Sequence, residues 1–139
     1  MSTTRARRLR RLVVTCILAC ITLVIAYVEW QPPAVQMCRA VDGDTLHCGE
    51  QRIRIVGLDA PELRGRCHEE KRLAEAATER LGVLIANGVT LSPSGRDRYD
   101  RVLAVVTDSE GQDVARVLVR EGLARPYYGR GQRADWCHS

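Results

Sequence analysis

Hydrophobic and polar positions divide the chain into two regimes. Leu12 to Val28 is an uncharged, mostly apolar run of 17 residues. As a helix it would be about 25 Å long, close to the thickness of a hydrocarbon core. From Ala34 the period falls to two. Alternation runs toward Val41, breaks at Asp42-Gly43-Asp44, resumes at Thr45-Leu46-His47-Cys48, turns at Gly49-Glu50 and continues from Arg52 to Leu58. This predicts three short strands joined by tight turns. Asp59 to Arg66 reads as a loop. A helix follows from about Glu69 to Ala86, with acids in its first turn, an apolar stripe at Leu73, Ala77, Leu81 and Leu84, and Asn87-Gly88 as its stop. Val89 to Leu91 begins a fourth strand, Ser92 to Asp100 reads as a polar loop, and Val102 to Thr107 is a fifth strand. Asp113 caps a second helix, Val114 to Arg120, closed by Gly122. The segment from Arg125 to Ser139 carries too much Gly and Arg for an assignment. The order of elements predicts an α+β domain with a five-stranded, partly open barrel and two helices.

The first regime predicts targeting. Arg5, Arg7, Arg8, Arg10 and Arg11 precede the apolar run, and Glu29 and Trp30 end it. Under the positive-inside rule residues 1–11 stay in the cytoplasm and residues 12–30 form a single-pass signal anchor, with Tyr27 and Trp30 at the interface. Cleavage after Val24-Ile25-Ala26 is the alternative, giving a secreted product, and Ile17-Leu18-Ala19-Cys20 is a weaker lipoprotein reading. Residues 31–33, Gln31-Pro32-Pro33, form a stiff linker to a domain over 34–139 that faces the periplasm or the exterior.

Composition narrows what that domain does. With 139 residues, 45% hydrophobic and 27% charged, the chain suits one small globular domain. Of 21 basic residues five lie in the first eleven positions, leaving 16 against 17 acids elsewhere. That balance excludes a domain that holds nucleic acid by bulk positive charge. Any polyanion must be met by a few placed arginines.

Six cysteines are present, with Cys16 and Cys20 in the apolar run. The other four, Cys38, Cys48, Cys67 and Cys137, predict disulfides in an oxidising space. Cys38 and Cys48 each stand five residues from Gly43, so a turn centred there sets them opposite each other. Opposed strand residues have Cα atoms roughly 4.5 to 5.5 Å apart, within disulfide range. By elimination Cys67 pairs with Cys137. A zinc site joining these cysteines to His47, His68 and His138 is the alternative, although no close ligand pair occurs.

Antiparallel pairing of the second and third strands brings Asp44 and Asp59 to one end of the sheet. Asp42 lies two residues from Asp44 and Glu62 three from Asp59. Four carboxylates on adjacent loops repel one another unless a cation sits among them, and oxygen donors suit a hard ion such as Ca²⁺ or Mg²⁺. Arg54 and Arg101 face the same opening, whereas Arg52 reads as solvent face. Metal, carboxylate and guanidinium are the parts required for displacement at phosphorus.

Those residues, in Val41-Asp42-Gly43-Asp44-Thr45, Arg54, Asp59-Ala60-Pro61-Glu62, Asp97-Arg98-Tyr99-Asp100-Arg101 and Val119-Arg120-Glu121-Gly122-Leu123-Ala124, resemble the thermonuclease family of staphylococcal-nuclease-like domains over about Cys38 to Tyr128. The resemblance implies an OB-fold barrel and Ca²⁺-dependent hydrolysis of DNA and RNA phosphodiesters that leaves 3′-phosphates, with no obligate protein partner. It makes Asp44, Asp59 and the Ala60 carbonyl metal ligands, with Asp42 behind them. Glu62 becomes the group that orients or activates water, and Arg54 and Arg101 the phosphate clamps. Arg98, Tyr99 and Tyr128 become substrate contacts. The sequence departs from the family pattern at Ala60, where Thr is common, at Asp100, where Gly is usual, and after Tyr128, where a third helix often follows and Cys137 instead pins the tail. The rival reading is a catalytically silent OB-type module that binds nucleic acid or protein. Such a module gains nothing from repelling carboxylates beside a phosphate site.

Overall fold

A computed structural model of the chain describes residues 3–29, 34–133 and 135–138. It divides into two compact units, residues 1–33 and 34–139. The first holds α1 (Thr3–Glu29), so the apolar run is helical as its composition requires. Its described large apolar side chains, from Leu12 to Ile25, are exposed around the helix. Among the described residues no helix is long and apolar enough to cross a membrane. The linker at Gln31-Pro32-Pro33, Trp30, and the side chains of Arg5 to Arg11 lie outside the described residues.

The second unit is mixed α+β. In chain order it contains β1 (Val35–Gln36), β2 (Cys38–Asp42), β3 (Thr45–Cys48), β4 (Gln51–Ile55), β5 (Gly57–Asp59), α2 (His68–Leu84), β6 (Val89–Arg96), β7 (Val102–Asp108), α3 (Val114–Arg120) and β8 (Arg125–Tyr127). A six-stranded sheet runs β1-β6-β7-β4-β3-β2, and β5 pairs with β8 in a second sheet. The two edges of the larger sheet, β1 and β2, are separated only by Met37. One segment, residues 35–42, therefore pairs with β6 through Val35↔Thr90 and with β3 through Cys38↔Cys48. The sheet curls until both of its ends rest on that segment.

Three departures from the sequence reading have local causes. The third predicted strand breaks at Val56, whose N–H donates to Ala104 O at 3.0 Å. The next residue, Gly57, has φ 89°, a conformation side chains resist. The chain there leaves the large sheet, and β5 carries Asp59 into register with Arg125 of β8. The fourth strand does not stop at Leu91: β6 continues through Pro93 and Gly95 to Arg96, because β7 lies beside it along that length, with an irregularity between Pro93 and Gly95. The tail, left unassigned, supplies β8.

The core gathers Leu46, Ile53, Ile55, Leu58, Leu81, Ile85, Val106 and Leu118, all essentially buried. On α2 the apolar residues buried are Ala77 and Leu81, as expected, together with Ala74, while Leu73 and Leu84 are half-buried. Asp113 caps α3 as expected, accepting from Ala115 N at 3.0 Å. Both disulfides form in the expected pairing, Cys38 with Cys48 at a Cα separation of 4.3 Å and Cys67 with Cys137 at 5.9 Å. With all four thiols so used, the zinc alternative is excluded. Cys67 also begins α2, its Sγ accepting from Glu70 N at 3.4 Å.

Candidate active site

The site begins at a glycine without room for a side chain. A Cβ on Gly43 would lie 2.7 Å from the Ala60 Cβ and 2.9 Å from that of Ala77. The β2–β3 turn therefore presses directly on the loop after β5 and on α2, bringing Asp42 and Asp44 beside Asp59 and Ala60. Asp42 Oδ1 accepts from Asp44 N at 3.1 Å, which shapes the turn, and Thr45 Oγ1 donates to Asp44 Oδ1 at 2.9 Å.

Arg54, on β4, joins the two central acids. Its Nη1 lies 2.7 Å from Asp44 Oδ2 and its Nη2 3.9 Å from Asp59 Oδ1, and Nη2 also donates to Leu58 O at 3.2 Å. The Asp59 side chain is only 3% exposed and that of Arg54 12%, so these are desolvated ions whose worth depends on mutual pairing. Burial pushes the Asp44 carboxyl up to about 6, opposed by Arg54 and reinforced by the nearby Asp42.

Arg101 follows the turn after β6. Its Nε meets Asp97 Oδ2 at 2.8 Å and its Nη1 donates to Thr45 Oγ1 at 3.4 Å. Asp97 Oδ1 accepts from Tyr99 N at 2.9 Å and Arg101 N at 3.0 Å, closing the turn through Asp100, which holds φ 60°, a conformation that glycine adopts more readily. Arg98 Nη2 donates to the Tyr99 hydroxyl at 2.7 Å, and the Arg98 and Arg101 guanidiniums stand 4.8 and 5.6 Å from the Tyr99 ring.

These groups line one cleft of about 500 Å³, walled by Asp42, Asp44, Arg54, Glu62, Arg98, Tyr99 and Arg101. Three more residues line it that sequence reasoning placed elsewhere or left unassigned. Arg52, read as solvent face, stands at the rim two residues from Arg54 on the same side of β4. Tyr127, on β8, faces this cleft, whereas Tyr128 is exposed and lines a neighbouring, mainly apolar hollow of about 570 Å³. Arg133 is the third: its Nη2 contacts Asp59 Oδ1 at 2.6 Å and its Nη1 contacts Glu62 Oε1 at 3.0 Å. The signal for it was the pairing of Cys67 with Cys137, which returns the tail to the residues that follow Glu62.

The donor chemistry fits a hard cation. Asp44 and Asp59 are buried carboxylates on adjoining loops, Asp42 adds a third acid behind them, and every partner that neutralises them is a guanidinium. Ala60, directly after Asp59, is buried and contributes a carbonyl oxygen of the same hard class.

Comparison with known proteins agrees with this geometry. The family described as staphylococcal nuclease homologue matches residues 52–136. An uncharacterized endonuclease of Escherichia coli is 33% identical over 97 residues, covering 66% of this chain and 60% of its own length. Protein ParB of Escherichia coli is 30% identical over 125 residues, covering 81% of this chain and 68% of its own. Endonuclease YhcR of Bacillus subtilis is 31% identical over 104 residues, covering 65% of this chain but only 8% of its own length. The chain thus spans about 60% of the first of these relatives. With more than half its length matched, the chain belongs to the staphylococcal nuclease homologue family.

Proposed function

We propose that this protein is a Ca²⁺-dependent, sugar-nonspecific endonuclease that hydrolyses phosphodiester bonds of DNA and RNA and leaves 3′-phosphates. The observation that carries the reading is that Asp44 and Glu62 line a single cleft with Arg54 and Arg101, and that Arg54 and Arg133, which line it too, both reach the buried Asp59. The names of two relatives as endonucleases point the same way. The finer architecture that accommodates the curled sheet is the OB-type barrel, with residues 35–42 acting as one bent strand.

Asp44, Asp59 and the Ala60 carbonyl would hold the cation, with Asp42 fixing the turn that presents Asp44. Bound there, Ca²⁺ supplies charge neutralisation at the scissile phosphate. Glu62, whose side chain is 56% exposed at the cleft, orients a water and takes its proton as the oxygen adds to phosphorus. Arg54 and Arg101 grip the phosphate oxygens as charge builds on them. The bond to O5′ then breaks, the departing O5′ takes up a proton from water to become a hydroxyl, and the phosphate stays on the 3′ side. Arg98, Tyr99 and Tyr127 line the path of the strand, and Tyr128 offers an exposed ring beside it.

Two features support a location outside the cytoplasm: an N-terminal apolar helix behind five arginines, and four cysteines all joined in disulfides. The N-terminal segment serves as the export signal, either retained or cleaved after Ala26. Analysis of the ends produced from plasmid DNA and from a long RNA tests the chemistry. Cleavage of both with 5′-hydroxyl and 3′-phosphate ends is expected, and 5′-phosphate ends or no cleavage contradict it.

A further inference from the structure

The tail contributes a group that the acid-and-arginine motif does not contain. Arg133 reaches two acids that differ in freedom. Asp59 is buried at 3% exposure and fixed by β5, and the Arg133 Nε and Nη2 grip its Oδ1 at 2.7 and 2.6 Å. Glu62 stands 56% exposed on an irregular loop, and among the described residues its carboxylate has no other ionic or hydrogen-bonded partner than Arg133 Nη1 at 3.0 Å. A free glutamate of this kind loses considerable rotamer entropy when it is held in one place. The planar guanidinium meets both acids through three separate nitrogens held in a fixed fork, Nε and Nη2 on Asp59 and Nη1 on Glu62, whereas an ammonium offers one nitrogen with no fixed direction.

Arg133 is in turn held by the tail around it. Trp136 is buried with Arg125 stacked 4.5 Å above its ring. Asp135 meets Arg66 at 3.3 Å and its carbonyl accepts from Arg125 Nη1 at 3.3 Å. Cys137 is bonded to Cys67, five residues after Glu62. The backbone on either side of Asp59 and Glu62 is thereby linked to the backbone that carries Arg133.

We propose that Arg133 is a positioning residue for the hydrolysis, holding Glu62 in its working place by bridging it to Asp59, with the Cys67–Cys137 disulfide setting the tail that delivers it. This rests on the nuclease reading. A positioning role and a merely structural one separate because Arg133 also adds positive charge beside a proposed cation ligand. Removing it relieves repulsion toward the ion while releasing the glutamate.

The test measures Ca²⁺ binding by calorimetry and, separately, kcat and KM at saturating Ca²⁺, on the full chain and on Arg133→Ala and Arg133→Lys. Arg133→Ala is expected to bind Ca²⁺ severalfold more tightly yet to lose about tenfold or more in kcat, the range seen when a partner of an active group is removed, with KM within about twofold. Arg133→Lys restores the charge but not the fork, so Ca²⁺ affinity returns toward that of the unmodified chain while kcat stays low. Three results overturn the proposal: kcat unchanged in Arg133→Ala; kcat raised together with Ca²⁺ affinity, which would make Arg133 an inhibitory latch; or both lowered together with thermal stability, which would make it a structural tie. An unmodified chain that binds Ca²⁺ but cuts nothing would instead fail the nuclease reading.

Discussion

Arg54 and Arg101 show how a single side chain acquires its role from the loop next to it. Arg54 is locked between two buried aspartates, so truncating it would leave unpaired buried charge and confuse folding with function. Arg101 is the cleaner probe, because its partner Asp97 is nearer solvent and stays in a self-contained turn. Arg101→Ala is expected to lower kcat by roughly 10³-fold or more, in the range of other arginines that stabilise phosphoryl transfer, with an unchanged circular dichroism spectrum. An effect below tenfold would remove Arg101 from the phosphate clamp. Asp44 predicts a pH dependence. Burial raises its pKa to about 6, so its proton competes with a bound cation, and apparent Ca²⁺ affinity should weaken as pH falls through that value and level off above it. The sign for stability is opposite: the cation-free fold favours the protonated acid, and this contribution is present at low pH and lost as pH rises through about 6. Calorimetric titrations between pH 5 and 8 check the affinity, and one that is flat across that window would contradict the assignment. Asp42, Asp44, Arg54, Asp59 and Glu62 were legible in the sequence because their spacing is local to two turns and a strand, and Arg101 because it ends the Asp97-Arg98-Tyr99-Asp100-Arg101 block. Arg133 was not, since nothing near it in sequence marks it and only the covalent return of the tail places it.

At the scale of elements, turn chemistry and register carried most of the reading. The symmetry of Cys38 and Cys48 about Gly43 is that of the observed Cys38↔Cys48 pair. The register shifts only between Ala40 and Asp42, beyond the disulfide. What escaped were the long-range pairings: β8 exists because β5 lies beside it, and the polar, Pro- and Gly-containing end of β6 is a strand because β7 accompanies it. Local propensity cannot report a partner many residues away. Gly43 gives a prediction of its own. Ala at this position puts a methyl under 3 Å from two others that belong to short, rigid side chains, so Gly43→Ala should cost about 1–3 kcal/mol and move the acid turn away from Asp59, lowering activity beyond the loss of stability. Denaturant unfolding with parallel rate measurements would show this, and a neutral substitution would mean that the turn does not need close approach. The disulfides differ in span, 10 against 70 residues. On the chain-entropy account the longer loop contributes about 1.5–2 kcal/mol more. Replacing Cys67 and Cys137 by Ser should therefore destabilise the protein more than replacing Cys38 and Cys48, and the reverse order would place the stabilisation in strand pairing.

For the whole molecule, charge and chemistry are separated along the chain. The net +4 belongs to the N-terminal arginines, and the rest holds 16 basic against 17 acidic residues. On the proposed function the domain would therefore meet a polyanion through one cleft rather than through its general surface. The central claim is that oxygen ligands, a water-orienting glutamate and clamping arginines in this cleft make a cation-dependent nuclease. The most direct measurement is the rate of cleavage of a labelled DNA strand by the full chain in Ca²⁺, in excess EDTA, and in Ca²⁺ with Glu62→Gln. The account predicts cleavage only in the first condition, restored by returning Ca²⁺ after chelation and lost or severely reduced in the variant. Equal rates with Ca²⁺ and with EDTA, or a Glu62→Gln variant as fast as the unmodified chain, would contradict it.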